Sequence, residues 1–207
     1  MIAVIDYGAG NLFSVRNALE YLGLAATVTR DPEELRRADG LILPGVGAFP
    51  DAMDMLEATG LIPVIREEAE KKPLLGICLG MQMLFEKGCE FREREGLGLI
   101  PGRVRKLEAR EGYKIPHMGW NSLQFLKDSP ITQGVPQGSY VYFVHSYMAE
   151  TEPEYLCAVS SYSEAVTALV RRGNVYGAQF HPEKSGDAGL RMLRNFGLLA
   201  GKRRGQG

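Results

Sequence analysis

One cysteine is held between two glycines, Gly76-Ile77-Cys78-Leu79-Gly80, directly after the apolar pair Leu74-Leu75. Gly-x-Cys-x-Gly between a strand and a helix is the cysteine form of a nucleophile elbow, a tight turn that lifts the reactive atom to the top of a sheet. Its glycines suit a turn with no room for Cβ atoms on either side. A thiol at a helix start also feels the positive end of the dipole, which favours the reactive thiolate. Such a nucleophile needs a base, and His181-Pro182-Glu183 offers one with its own orienting group. Pro182 fixes its own φ and pushes His181 into an extended conformation. Residues two apart in extended chain point to the same side, so imidazole and carboxylate can meet. The carboxylate would fix one ring nitrogen as donor and leave the other facing the thiol. The chemistry is acyl transfer by a triad: Cys78 as nucleophile, His181 as acid and base, Glu183 as its orienter.

Acyl transfer also needs two donors aimed at the developing oxyanion. The Leu79 N–H, next to the nucleophile, is one by geometry. The glycine-rich turn Pro44-Gly45-Val46-Gly47-Ala48-Phe49 can supply the second from Val46 or Gly47. Phosphate cradling is the rival reading of that turn, and the chain has neither Gly-Lys-Ser/Thr nor Gly-x-Gly-x-x-Gly to support it. Cys157 reads as a small buried hydrophobe, and Cys89, beside Glu90 in an expected loop, has no visible activator. His117 and His145 compete for the base role. His117 follows Pro116 with no carboxylate close in sequence, whereas His145 ends the strand-like run Tyr140 to Val144, where it can line a pocket.

The elements that must position these groups alternate. Ile2 to Ile5, Ala25 to Thr29, Leu41 to Leu43 and Leu74 to Ile77 read as buried strands, and Asn11 to Leu22, Pro50 to Leu56 and Leu79 to Phe85 as helices. That alternation predicts an α/β fold with a mostly parallel central sheet flanked by helices. From Leu97 to Val170 short β-rich pieces, among them Ser139 to Val144 and Ala165 to Val170, are punctuated by Gly and Pro and predict an antiparallel β-rich extension. Gly189 to Ala200 closes the chain as an amphipathic helix, with Ser185 as its expected N-cap. Residues 1–200 read as one domain, and 201–207 as a flexible basic tail.

At 207 residues and a formal charge of −1, the chain is long enough to cover both faces of a sheet and carries no excess of base. Nucleic acid and anionic membrane are therefore not expected partners. Three cysteines in no metal-ligand pairing fit a reducing, cytoplasmic setting without disulfides or a metal. No apolar stretch approaches the ~20 residues of a membrane helix, and the first residues lack the basic region of a signal peptide.

With these motifs placed, the chain resembles the class I (triad-type) glutamine amidotransferases, which share a flavodoxin-like sheet. Within them it is most similar to the glutaminase subunits of imidazole glycerol phosphate synthases. The resemblance runs through nearly the whole chain: Asp6-Tyr7-Gly8-Ala9-Gly10-Asn11-Leu12, the Pro44 turn, Gly76 to Gln82, Pro116-His117-Met118-Gly119-Trp120-Asn121, Tyr142-Phe143-Val144-His145-Ser146-Tyr147, and Gln179 to Ser185. Gly186 departs from it, where many relatives carry glutamine. The resemblance implies hydrolysis of L-glutamine without a cofactor, and delivery of ammonia to a cyclase subunit with a (β/α)8 barrel in a heterodimer. It implies glutamine contacts at Gly47, Gln82, Glu90, His145, Ser146 and Tyr147, and a cyclase-facing surface at Asn11, Trp120 and Asn121. Another triad glutaminase, such as the pyridoxal-phosphate synthase subunit, a stand-alone γ-glutamyl hydrolase, and a catalytically silent regulatory subunit are the alternatives.

Overall fold

The computed structural model describes residues 1–201; the basic tail expected from Lys202 onward lies outside them. The chain opens as β1 (Ile2–Ile5), α1 (Leu12–Tyr21), β2 (Ala26–Thr29), α2 (Pro32–Arg37), β3 (Gly40–Gly45), α3 (Phe49–Ala58), α4 (Ile62–Lys71), β4 (Leu74–Cys78) and α5 (Leu79–Gln82). It continues through β5 (Phe85–Glu90), β6 (Arg92–Glu95), β7 (Ile100–Lys106), β8 (His117–Ser122), β9 (Gln124–Phe125), β10 (Tyr140–His145) and β11 (Tyr147–Glu150). Then come β12 (Leu156–Ser161), β13 (Ala165–Arg172), β14 (Val175–Ala178) and α6 (Gly186–Gly201). The main sheet runs in the order β2-β1-β3-β4-β14-β13-β12-β9. Its first five strands are parallel, and β13, β12 and β9 extend it antiparallel.

The inner parallel strands β1, β3 and β4 are buried at every position because both faces are covered, whereas the edge strand β2 is mostly half-buried. Ala3, Ile5, Leu41 and Leu43 point into one core with α2, α3 and α4. Their neighbours Ile2, Val4 and Ile42 point into the other, against Val15 and Leu19 of α1 and Met192, Leu193 and Phe196 of α6. That alternation is the two-residue period of a strand. It leaves the C-terminal ends of β3 and β4 side by side, with Gly45 opposite Cys78. In open α/β sheets this is the edge where ligands bind.

Four expectations need correction. The helix expected over Leu79 to Phe85 is a single turn ending at Gln82, and Phe85 starts β5. The stretch from Met81 to Phe85, apolar but for Gln82, is too short for its period to separate a helix from a buried strand. Cys89 and Glu90 consequently lie in β5 rather than in a loop. Ser185 does not spend its hydroxyl on the helix start. It donates to the His181 carbonyl at 2.6 Å and accepts the Tyr142 N–H at 3.0 Å, tying the triad segment to β10. The β-rich extension is also not wholly antiparallel, because β5 and β7 pair parallel within the small sheet β11-β7-β5-β6. Helices α2 and α4 have no counterpart in the sequence reading. Both are short and charged, and only one narrow stripe of each is buried.

Candidate active site

Cys78 ends β4 with φ 54° and ψ −113°, a left-handed conformation that a non-glycine residue holds only under constraint from its surroundings. The two flanking glycines allow it. A Cβ on Gly76 would sit 2.6 Å from the Gly80 carbonyl oxygen, and one on Gly80 would sit 1.9 Å from that of Leu43. The turn is thus folded hard against β3, and the motif's glycines are steric requirements of an elbow. Because α5 is one turn long, the local N–H groups rather than an extended helix dipole act on the sulfur. Leu79, the first residue of that turn, has no intrahelical acceptor for its own N–H.

His181 follows β14 on the neighbouring strand end, held by its N–H to the Tyr142 carbonyl at 3.0 Å. Its Nδ1 lies 2.8 Å from Glu183 Oε1, and both side chains are buried. Nδ1 donates, since a carboxylate only accepts. Burial of the imidazole opposes its charge, but interactions with the Cys78 sulfur and with Glu183 outweigh it and raise the pKa to about 9. Nε2 is buried and makes no hydrogen bond of ordinary geometry within the protein. A protonated ring with that nitrogen unsatisfied is a general acid awaiting an acceptor.

The competing histidines behave oppositely. Burial pushes His117 down to about 4 and His145 down to about 3, so both are neutral near pH 7. They hydrogen-bond to each other, ring nitrogen to ring nitrogen, at 3.0 Å.

A cleft of about 380 Å³ opens over the sulfur, bordered by Val46, Gly47, Cys78, Leu79, Gln82, Glu90, Pro116, Val144, His145, Ser146, Tyr147 and His181. That size suits a small molecule. Every residue expected to touch glutamine therefore borders one cavity, and Glu183 stands behind His181. Gly47, at φ 95°, holds a bend open to glycine, with empty space where a Cβ would go. Glu90 reaches across from β5 to accept the Phe49 N–H at 2.9 Å, fixing the start of α3 immediately after that bend. Gln82 Nε2 donates to the Tyr147 carbonyl at 2.9 Å and to Gln179 Oε1 at 3.0 Å.

Two contacts of the sulfur had not been assigned from sequence. Gln179 is fully buried with Nε2 3.9 Å from Sγ, and the Val144 carbonyl lies 3.8 Å from Sγ. Gln179 carried a signal, a polar residue closing an apolar strand just before His181. The Val144 contact is backbone and leaves none.

Asn11, Trp120 and Asn121 lie outside the cleft. Asn11 caps α1 through the Ser14 N–H, and Asn121 turns inward to the Ser161 carbonyl at 2.9 Å. Trp120 is 57 % exposed on the outer face of the β8–β10 ribbon.

A cysteine at positive φ on the sheet's carboxyl edge, a histidine–glutamate pair beside it and a cleft above it are the parts that a cysteine-dependent hydrolase of the α/β type needs. The chain belongs to the glutamine amidotransferase class-I family, whose match spans residues 3–200. Among curated relatives, the imidazole glycerol phosphate synthase subunit HisH of Bacillus cereus is 55% identical over 197 residues, covering 95% of this chain and 93% of that one. The subunit of the same name from Bacillus anthracis is 56% identical over the same shares. In fold, a solved glutamine amidotransferase superposes with a TM-score of 0.76 at 22% identity, over 97% of this chain and 100% of that one. PurLQS from Thermotoga maritima gives 0.75 at 20%, over 94% and 96%.

Proposed function

We propose that the chain hydrolyses L-glutamine through Cys78, His181 and Glu183 and passes the ammonia to a cyclase subunit with a (β/α)8 barrel. The reaction is that of the glutaminase subunit of imidazole glycerol phosphate synthase, in histidine biosynthesis. The observation that carries the residue assignment is the His181–Glu183 hydrogen bond at 2.8 Å beside Cys78 at φ 54° under a small-molecule cleft.

The Cys78 sulfur attacks the side-chain amide carbon of glutamine. The oxyanion is held by the Leu79 N–H and by an N–H of Val46 or Gly47. His181 Nε2 gives its proton to the leaving nitrogen, and ammonia departs from a glutamyl thioester. Water then attacks the thioester carbonyl and loses a proton to Nε2, and the sulfur leaves as glutamate is released. Each oxyanion donor is worth ~10²–10³ in rate. Glutamine is held by the walls around Gln82, Glu90, His145, Ser146 and Tyr147, while Glu90 also steadies the turn that carries the second donor.

The partner surface is supported by the β8–β10 ribbon. Met118 and Trp120 pair across it with Val144 and Tyr142, and Met118, Trp120 and Tyr140 are exposed to about 60 %. An exposed apolar face of this kind marks a protein interface. The opposite face carries His117, Val141, Phe143 and His145, all buried. The free cysteines and the near-neutral charge support a cytoplasmic setting, and no described helix is long and apolar enough to cross a membrane.

The test is glutamate release from L-glutamine by the chain alone and with a cyclase subunit and its ribotide ligand. Release that rises sharply only in the liganded complex, and vanishes in Cys78→Ala, is expected. Full activity without a partner would instead favour a stand-alone γ-glutamyl hydrolase.

A further inference from the structure

A line of hydrogen bonds with a single donor direction runs behind the cleft. His145 Nδ1 lies 2.8 Å from the Tyr147 carbonyl, which only accepts, so Nδ1 carries the proton. The neutral His145 ring then has an acceptor at Nε2, and His117 Nδ1, 3.0 Å away, must donate to it. His117 Nε2 is in turn an acceptor, met by Asn121 Nδ2 at 3.2 Å. Each ring therefore has one tautomer that satisfies all its contacts. The Tyr147 carbonyl at the end of the line also takes Gln82 Nε2, and the same Gln82 amide continues to Gln179 and on towards the Cys78 sulfur. His117 does not border the cleft, whereas His145, Ser146 and Tyr147 do.

We propose that His117 is a positioning residue for glutamine hydrolysis: by donating to His145 Nε2 it fixes the His145 ring, and through it the Ser146–Tyr147 wall against which the substrate lies. This role rests on the glutaminase reading above. Asn121 sits behind His117 and donates to its Nε2, matching the tautomer that His145 requires. Asn121, drawn inward, thus serves the site from the inner face of the ribbon that exposes Trp120 outward.

Packing is the competing account, because His117 is stacked between Phe143 at 4.6 Å and Tyr162 at 4.0 Å between ring centroids. Two substitutions separate them. His117→Phe keeps an aromatic ring in the stack and removes the donor. His117→Asn removes the stack and keeps an N–H donor near the position of Nδ1.

The experiment measures KM and kcat for L-glutamine on the chain with its partner subunit present, the melting temperature, and hydrogen bonding at His145 Nε2 by ¹⁵N NMR. A buried acceptor robbed of its donor typically weakens the arrangement it holds by about tenfold or more. His117→Phe is therefore expected to raise KM about tenfold with a melting temperature no lower than that of His117→Asn, and to shift the His145 Nε2 resonance to that of a nitrogen without a hydrogen bond, the Nδ1–H tautomer being still held by the Tyr147 carbonyl. His117→Asn is expected to retain a hydrogen-bonded Nε2 on His145 and a KM within about threefold of the wild type. A wild-type KM in His117→Phe overturns the proposal, as does His117→Asn failing to fold or losing as much affinity as His117→Phe. A wild-type complex that releases no glutamate refutes the glutaminase reading itself, and this role with it.

Discussion

Replacing Glu183 by glutamine keeps the shape of the orienting group and removes only its charge. The perturbation falls on a closed pair: Nδ1 and Oε1 are 2.8 Å apart with both side chains buried. His181 titrates at about 9 in the fold, against roughly 6.5 for an unperturbed imidazole. Folding therefore binds the imidazolium proton more tightly, which contributes about 3 kcal/mol of stability below pH ~6.5 and loses it as pH rises through 9. Burial opposes that gain, and the Cys78 sulfur and Glu183 share in producing it. A hydrogen bond to a charged group is worth ~1.5–3 kcal/mol and a neutral one ~0.5–1.5. The substitution should thus lower the His181 pKa by about one unit. A glutamine side chain can also turn its NH2 towards Nδ1 and impose the wrong tautomer, as happens when a triad carboxylate becomes an amide. We expect kcat for glutamate release to fall ~10²–10⁴-fold. KM should change little, because Glu183 does not border the cleft. The basic limb of the rate profile, near pH 9 in the wild type, should move down by about a unit. Urea unfolding of both proteins between pH 6 and 10 should show a stability gap that closes towards the alkaline end. A kcat within about threefold of the wild type with an unmoved basic limb, or a stability gap flat across that range, would refute the reasoning.

Other outcomes follow from the same geometry. Gly47→Ala places an L side chain at φ 95° with no steric clash, so it should cost only about 1 kcal/mol of stability. It should cost far more in kcat, because it redirects an oxyanion donor; thermal melting beside steady-state kinetics checks this. Gly80→Ala drives a Cβ to within 1.9 Å of the Leu43 carbonyl oxygen, and soluble yield and melting temperature should both drop sharply. His117 and His145 have folded pKa values of about 4 and about 3. The stability they support is complete above pH ~6.5 and is lost as pH falls through those values. Acid unfolding should accordingly steepen below pH 6 in the wild type and be shallower in His117→Phe. Trp120→Ala, on the exposed outer ribbon, should leave glutamine hydrolysis by the free chain and its melting temperature unchanged while reducing stimulation by the partner, read by titrating the cyclase subunit.

How much of this was legible depended on whether the signal was local. The elbow was, because Gly76 and Gly80 can be recognised as steric necessities without knowing that the Leu43 and Gly80 carbonyls are what they avoid. The His181–Glu183 pair was legible in its residues but not in its geometry: the extended chain expected across Pro182 is a 3-10 turn over Pro182–Lys184, and the side chains meet across that turn at 2.8 Å. Four of the five parallel strands were readable from short apolar runs, and β14 was not. What failed was the segment after the elbow. Met81 to Phe85, apolar but for Gln82, is buried for two successive reasons, as one turn of helix and then as the start of a strand, and composition cannot separate them. The strand identity of Glu90 was lost with it, and so was its bond to the Phe49 N–H. The roles of His117, Gln179 and Asn121 were illegible on different grounds. Each has a partner far away in sequence, His145 for His117, Cys78 for Gln179 and the Ser161 carbonyl for Asn121, and donor direction along His117 and His145 is decided by a backbone carbonyl at Tyr147.

The most direct test of the central claim is to quench the complex during turnover of L-glutamine and map the covalent adduct by mass spectrometry. The account predicts a glutamyl thioester on Cys78, absent from the Cys78→Ala chain and from Cys89 and Cys157 in both. Glutamate released at an undiminished rate by Cys78→Ala, or an adduct carried by another residue, would contradict it.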